Sequence, residues 1–235
     1  MRPHHQLIWT ILSKFNESYL EQHCILFGGG TRIALELNEY RESVDIDFLC
    51  ADPASYKAVR SQVDSQSLGS LVLPDQELSF PRGIRADRDA VRTFIQWDGV
   101  PIKLEFVHFD YYGLRQDKRT HLFPVPFIDQ SSCFLTKLLA NADRYADANK
   151  KDIFDLCMMA HHWGGIPDDA WNQAEEKYGL RPVYEGLIKA LDEMNSHKTR
   201  FKDLAITSLD IAPDVAEEIL DEYAPALLGM VQQRV

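Results

Sequence analysis

The sequence predicts an α+β protein, with a first half of mixed strands and helices and an all-helical second half. Three observations predict it. Short apolar runs, CILF at 24–27, VDIDFLC at 44–50 and the pair VRTFIQW and VPIKLEFVHF at 91–97 and 100–109, all lie before residue 110. Asp98-Gly99 joins the last two, a two-residue link of the kind that closes a hairpin. Beyond about residue 125 the apolar residues recur at helical spacing, as in Phe134, Leu135, Leu138, Leu139, Ala142 and Tyr145.

Taken in order, Leu7, Ile8, Ile11, Leu12, Phe15 and Tyr19 predict one amphipathic opening helix. The run 24–27 reads as a buried strand, GGGT at 28–31 as a turn with Thr31 at a helix start, and Ile33, Ala34, Leu35 and Leu37 as that helix. Residues 44–50 read as a second strand. Pro53, Pro74 and Pro81 punctuate the next stretch, where only 54–63 looks helical. Ile153, Phe154, Leu156, Cys157 and Ala160 mark a helix after the one at 134–145, and further helices are expected at 168–178, 182–194 and 213–233. The segment FPVPF at 123–127 is the expected seam between domains at 1–125 and 126–235.

The composition is that of a globular chain, 45% hydrophobic and 26% charged over 235 residues, long enough to bury a core without covalent staples. The net charge of −11 argues against a surface that grips nucleic acid everywhere. Nucleic-acid contact would have to be local, for example at Arg82, Arg85, Arg88 and Arg92, a cluster that reads equally as a solvated loop. Cys24, Cys50, Cys133 and Cys157 form no CxxC pair and each sits in an apolar run, so they read as buried free thiols. MRPHHQ lacks a leader's apolar stretch, and no window approaches the ~18 to 20 apolar residues of a membrane span. The expectation is a soluble cytoplasmic protein with no membrane partner.

Four groups of residues can carry chemistry. Asp45 and Asp47 are two apart on a strand, so their carboxylates share a face while Ile46 and Phe48 point inward. Two anions that close invite a cation, and carboxylate oxygens suit Mg²⁺; an amphipathic strand with one wet face fits the pattern as well. Gly28, Gly29 and Gly30 leave a strand and enter a helix, which lets a backbone approach phosphate at free N–H groups. A tight turn with a capping Thr31 explains them equally. Glu105 alternates with Ile102, Leu104 and Phe106, so Lys103 and Glu105 face the other way. A strand pairing near 44–50 would set Glu105 beside Asp45 and Asp47 as a third carboxylate, where one of the three can take a proton from an attacking hydroxyl; a surface Lys/Glu pair is the plain alternative. Lys137, Asn141 and Arg144 fall on one helix stripe, able to hold triphosphate oxygens or simply to face solvent. Asp152 and Asp155 in KKDIFDL share a face and can orient Lys137 or Arg144, or act on the acceptor. His161-His162 point to different faces of a helix, which disfavours a shared metal and a hydrolase built on them.

The ordered set GGGT at 28–31, Arg41, Ser43, D-I-D-F at 45–48, then Lys137 and K-D-I-F-D at 151–155 resembles the nucleotidyltransferases of the DNA polymerase beta superfamily, and in particular the AbiEii/AbiGii group. The resemblance spans about residues 24 to 157. It implies a nucleotidyltransferase-type mixed sheet with flanking helices and the helical C-terminal half, with Gly28, Gly29, Gly30 and Thr31 cradling nucleotide phosphates alongside Arg41 and Ser43. It further implies Asp45 and Asp47, with Glu105, on Mg²⁺ (Mn²⁺ as a substitute), Lys137 and Arg144 on the triphosphate, and Asp152 as an essential acid. The implied activity is transfer of a nucleoside monophosphate to a tRNA 3′ end or a protein hydroxyl, in a toxin of a type IV toxin–antitoxin or phage-defence system with a cognate antitoxin. The rival expectation is a module that keeps the fold and binds nucleotide or nucleic acid without the chemistry.

Overall fold

The computed structural model describes residues 1–109, 113–148 and 150–234. The chain divides into two compact units, one formed by Met1–Arg32 and Ser43–Asp129, the other by Ile33–Glu42 and Gln130–Val235. The expected α+β architecture is present.

The first unit is built on a mixed five-stranded sheet in the order β1-β2-β5-β4-β3. Its strands are β1 (Ile25–Gly28), β2 (Asp45–Cys50), β3 (Arg85–Ala86), β4 (Ala90–Trp97) and β5 (Val100–His108). Only β2 and β5 run parallel; the other neighbours are antiparallel. Asp98 and Gly99 both take positive φ, 48° and 80°, which is what a two-residue hairpin turn between β4 and β5 demands. The inward residues of β2 and β5 meet as rings: Phe48 stacks on Phe106 at 5.1 Å, and Phe15 closes on Phe48 at 4.9 Å. This aromatic burial fixes the sheet's inner face and so commits the alternate residues to the outer one.

Among the described residues, three α-helices lie wholly within this unit. The single opening helix expected from Leu7 to Tyr19 is instead two, α1 (Pro3–Leu12) and α2 (Glu17–Gln22). Asn16 breaks the run because its side chain accepts the Tyr19 N–H at 3.2 Å and caps α2, while Phe15 bridges to Val72. Between β2 and β3 lies α4 (Pro53–Gln62), capped by Asp52, whose Oδ1 accepts the Ser55 N–H at 2.7 Å.

The chain passes from the first unit to the second within α3 (Gly29–Glu36), and returns at Ser43. The helix starts at Gly29, two residues earlier than Thr31, since the glycines themselves take up its first turn.

The second unit is helical: α5 (Gln130–Arg144), α6 (Lys151–Trp163), α7 (Asp168–Tyr178), α8 (Leu180–Ser196), α9 (Lys198–Leu209), α10 (Pro213–Glu218) and α11 (Ala224–Gln232). The helix α9 had no strong apolar stripe to announce it; only Phe201, Ala205 and Leu209 are buried. The stretch expected as one helix at 213–233 is continuous but passes through a π-helical turn, Ile219–Tyr223. That turn brings Tyr223 onto His161, with ring centroids 3.7 Å apart. Gly164 ends α6 with φ of 92°.

All four cysteines are free thiols. Cys50, Cys133 and Cys157 are buried, but Cys24 is exposed, because it sits with φ of 50° just before β1 rather than inside it. Among the described residues no helix is long and apolar enough to cross a membrane.

Candidate active site

In the first unit, Asp45 and Asp47 project from the outer face of β2, half-buried, while Ile46 and Phe48 are fully buried. The parallel register sets Asp47 opposite Glu105 and Asp45 opposite Lys103. The expected third carboxylate therefore lies on the neighbouring strand beside the aspartate pair. Glu105 is already engaged: it accepts from Arg92 Nε at 2.8 Å and from Lys103 Nζ. Burial works against the Lys103 charge, but Glu105, Asp45 and Asp47 outweigh it and raise its pKa. The outer face thus carries its own ammonium among three carboxylates. Sequence reasoning put Lys103 on this face without giving it a role; the alternation in IKLEF was the available signal.

On the other side of β2, Gly28 of β1 pairs directly with Asp47. Gly29 has φ of +70°, and a Cβ there would run into the Asp47 carboxylate; a Cβ at Gly28 would come within 2.9 Å of the Leu49 side chain. The glycines are needed so that the turn can lie against the acid strand. Gly29→Ala is expected to destabilise the protein by more than ~1 kcal/mol, since a positive φ and a blocked Cβ act together. Urea denaturation reads this, and an unchanged midpoint would show that the turn tolerates a side chain.

Thr31 is buried, and its hydroxyl lies 2.8 Å from Ser43 Oγ and donates to the Asp45 carbonyl at 2.5 Å. Ser43 in turn donates its N–H to His5 Nε2 at 3.1 Å. These contacts tie the start of α3 to the entry of β2, so Thr31 positions the glycine turn with its side chain turned inward.

Whether a divalent cation fits depends on the donors. Asp45 and Asp47 supply hard oxygens on one face, next to a glycine turn that packs against Asp47. Among the described residues no cluster of three or more His, Cys, Asp or Glu side chains is arranged to hold a metal. Glu105 is held by its two cations instead. A two-carboxylate set still fits Mg²⁺, which is commonly bound by one or two carboxylates together with substrate phosphates and water.

In the second unit a different cluster forms. Lys137 on α5 places Nζ 2.8 Å from Asp152 Oδ1 and 2.5 Å from Asp155 Oδ2, both on α6. Arg144 reaches Asp152 with Nε at 2.5 Å and Nη2 at 3.0 Å. Arg41 clasps Asp155 with two bonds, 2.7 and 2.9 Å, and Tyr40 donates to the same carboxylate. The i, i+3 spacing of Asp152 and Asp155 sets both toward α5, as their shared face predicts. Lys137, Arg41 and Asp155 are enclosed, whereas the Arg144 side chain is 42% exposed. Arg144 is thus the cation of this group open to a ligand, and Lys137 and Arg41 hold the acids in place.

Burial alone would raise the pKa of Asp155, but Arg41 and Lys137 overcome it and hold the carboxyl below its ordinary value of 3.8; Lys137 and Arg144 do the same for Asp152. A depressed folded-state pKa contributes stability above the unfolded value that is lost as pH falls through the folded one. The contribution of these two acids is therefore expected to hold from neutral pH down to about pH 4 and to fail only below it. Urea midpoints measured from pH 7 to 3 check this, and a loss assignable to these acids that begins near pH 6 would contradict it.

His161 and His162 lie with their rings nearly perpendicular, and His161 is stacked on Tyr223. They take part in packing between α6 and the π-helical turn.

Comparison with known proteins bears on the fold and the family. No curated protein sequence gives a significant match. Among the solved structures that share the fold are two from Helicobacter pylori. A proposed nucleotidyltransferase from Helicobacter pylori aligns with a TM-score of 0.54 at 15% identity, covering 99% of this chain and 96% of that one. A second H. pylori protein, JHP933, aligns with a TM-score of 0.52 at 16% identity, covering 98% and 93%. The family described as "Nucleotidyl transferase AbiEii toxin, Type IV TA system" matches residues 10–226, nearly the whole chain. With the aspartate pair, the glycine turn and the Lys137–Asp152 cluster all inside that span, this chain belongs to the AbiEii nucleotidyltransferase family.

Proposed function

We propose that the protein transfers a nucleoside monophosphate from a nucleoside triphosphate to a hydroxyl on a tRNA 3′ end or a protein, as the toxin of a type IV toxin–antitoxin or phage-defence pair acting in the cytoplasm. The observation that carries this is the outer face of β2, where Asp45 and Asp47 project together and Gly28 and Gly29 lie directly against Asp47. Asp45 and Asp47 would hold Mg²⁺, or Mn²⁺ in its place. Bound there, the ion would neutralise charge on the phosphates, and such transfers depend mainly on positioning and electrostatics.

The chain's own residues do the rest. The turn at Gly28, Gly29 and Gly30 offers backbone N–H groups to phosphate oxygens. In the helical unit, Arg144 is the exposed cation proposed to contact phosphate, oriented by Asp152, which Lys137 fixes in turn. The acceptor oxygen bonds to the α-phosphorus, the bond from that phosphorus to the bridging oxygen breaks, and pyrophosphate leaves. The acceptor proton passes to a carboxylate of the Asp45, Asp47 and Glu105 set. Disabling the acceptor would stop growth, and a cognate antitoxin would relieve it.

The test is a transfer assay with purified protein, Mg²⁺, each α-³²P nucleoside triphosphate in turn, and total tRNA with lysate. Asp45→Ala/Asp47→Ala protein is the control. Label entering RNA or protein with the wild type alone is the expected result. Equal label from the control would remove the aspartates from the mechanism, and no Mg²⁺-dependent nucleotide binding in calorimetry would remove the donor.

A further inference from the structure

The outer face of the sheet does not end at the carboxylates. Through the registers, one row runs Asp47, Glu105, Arg92, Arg85, and the next runs Asp45, Lys103, Phe94. Charge therefore changes sign across the sheet, from acids on β2 to arginines on β4 and β3. Arg92 is neutralised by Glu105 at 2.8 Å and Asp87 at 2.7 Å. Arg85 stands directly opposite Arg92 on the neighbouring strand and is exposed. Like charges placed opposite each other on a sheet are destabilising. Neither Arg85 nor Arg82 forms an ion pair with a carboxylate among the described residues. Arg82 lies 4.7 Å over the ring of Phe94. Between them is a cavity of about 280 Å³ lined by Arg82, Arg85, Arg92, Phe94 and Lys103.

In a chain of net charge −11 this is a local cationic groove with an aromatic floor. Uncompensated guanidinium groups suit phosphate, and a ring with a cation above it is the pairing that single-stranded nucleic-acid sites use to stack bases. Three strand spacings of ~4.8 Å separate the Arg85 and Asp47 positions, about 14 Å, so the arginine end of the groove is set apart from the glycine turn.

The geometry points to this groove as the binding site for a single-stranded nucleic-acid acceptor, laid across β3, β4 and β5 with its end toward Asp45 and Asp47. This rests on the transferase reading above and selects a nucleic-acid strand over a protein as the acceptor. Arg82 and Arg85 hold the strand's phosphates, Phe94 meets a base, and Lys103 bridges groove and carboxylates.

The experiment is fluorescence anisotropy of a fluorescein-labelled, unstructured 12-nucleotide RNA against wild type, Arg82→Glu/Arg85→Glu, the milder Arg82→Gln/Arg85→Gln, and Asp45→Ala/Asp47→Ala, over a salt series. Nucleoside triphosphate binding with Mg²⁺ is followed by calorimetry alongside, and thermal melts confirm folding. Strand affinity is expected to fall at least about ten-fold in the glutamate variant, and the slope of log affinity against log salt to drop by about 1.4 in the glutamine variant, the value for two lost phosphate contacts on a single strand. Triphosphate binding should not change. Strand affinity unaltered in both arginine variants overturns the proposal. So does a variant that loses triphosphate but keeps the strand, since the groove then serves the donor. If the wild type moves no label yet binds the strand through these arginines, the groove stands and the transferase reading falls. If label moves equally with and without the arginines and strand affinity is the same, the transferase reading stands and the groove falls.

Discussion

Asp47→Asn is expected to lower nucleotide transfer by about 10²–10³-fold while the protein stays folded. Asparagine keeps the volume of Asp47 against the turn at Gly29, so the backbone arrangement survives. It removes one anion from the pair, and its amide N–H groups face a cation they cannot bind. Because Asp47 is only half-buried and makes no contribution to the aromatic core, the melting temperature should move little. Loss of charge also weakens the field on Lys103, which leaves that ammonium more firmly with Glu105. Initial rates of label transfer, measured beside a thermal melt, separate the two effects. Activity within two-fold of wild type at an unchanged melt would show that Asp47 is a wet-face residue and nothing more.

The largest effect on stability is expected at Asp155. Asp155→Asn removes the one negative charge shared by Arg41, Lys137 and Tyr40, in a site with no exposure to solvent. Two cations would remain buried, one of them, Arg41, without any other carboxylate partner in the cluster described. Breaking a buried pair in this way costs about 3–5 kcal/mol, far more than an exposed pair is worth. Lys137→Met is expected to cost less. Without Lys137, Asp155 keeps Arg41 and Asp152 keeps Arg144, so each acid stays paired. Urea unfolding of the two variants gives the comparison. If Lys137→Met proves as damaging as Asp155→Asn, the lysine and not the aspartate is the centre of the cluster.

Much of the site was legible because period-two and helical repeats decide direction locally. D-I-D-F put two carboxylates on one face, IKLEF turned Lys103 and Glu105 away from its apolar residues, and Asp152 with Asp155 fell on one side of a helix. The Asp-Gly link announced the hairpin for the same reason: the turn's backbone demands are met within two residues. Less legible were features set by capping and weak stripes. The break in the opening helix depended on whether the Asn16 side chain or the next helical turn satisfied a backbone N–H. The helix α9 buries too few residues for its pattern to stand out from a loop.

The sequence by itself determined the α+β class, the hairpin, the ordered polar motifs and the direction each acid faces, since all depend on neighbours within a few residues. Tertiary structure alone decided which strand stands next to which. It set Glu105 across from Asp47 yet held by Arg92 and Lys103, placed Gly29 against a carboxylate, and opposed Arg85 to Arg92. It also enclosed Lys137 while leaving Arg144 open. Those outcomes depend on strand order, register and burial, which join residues tens of positions apart, and no local period carries that information.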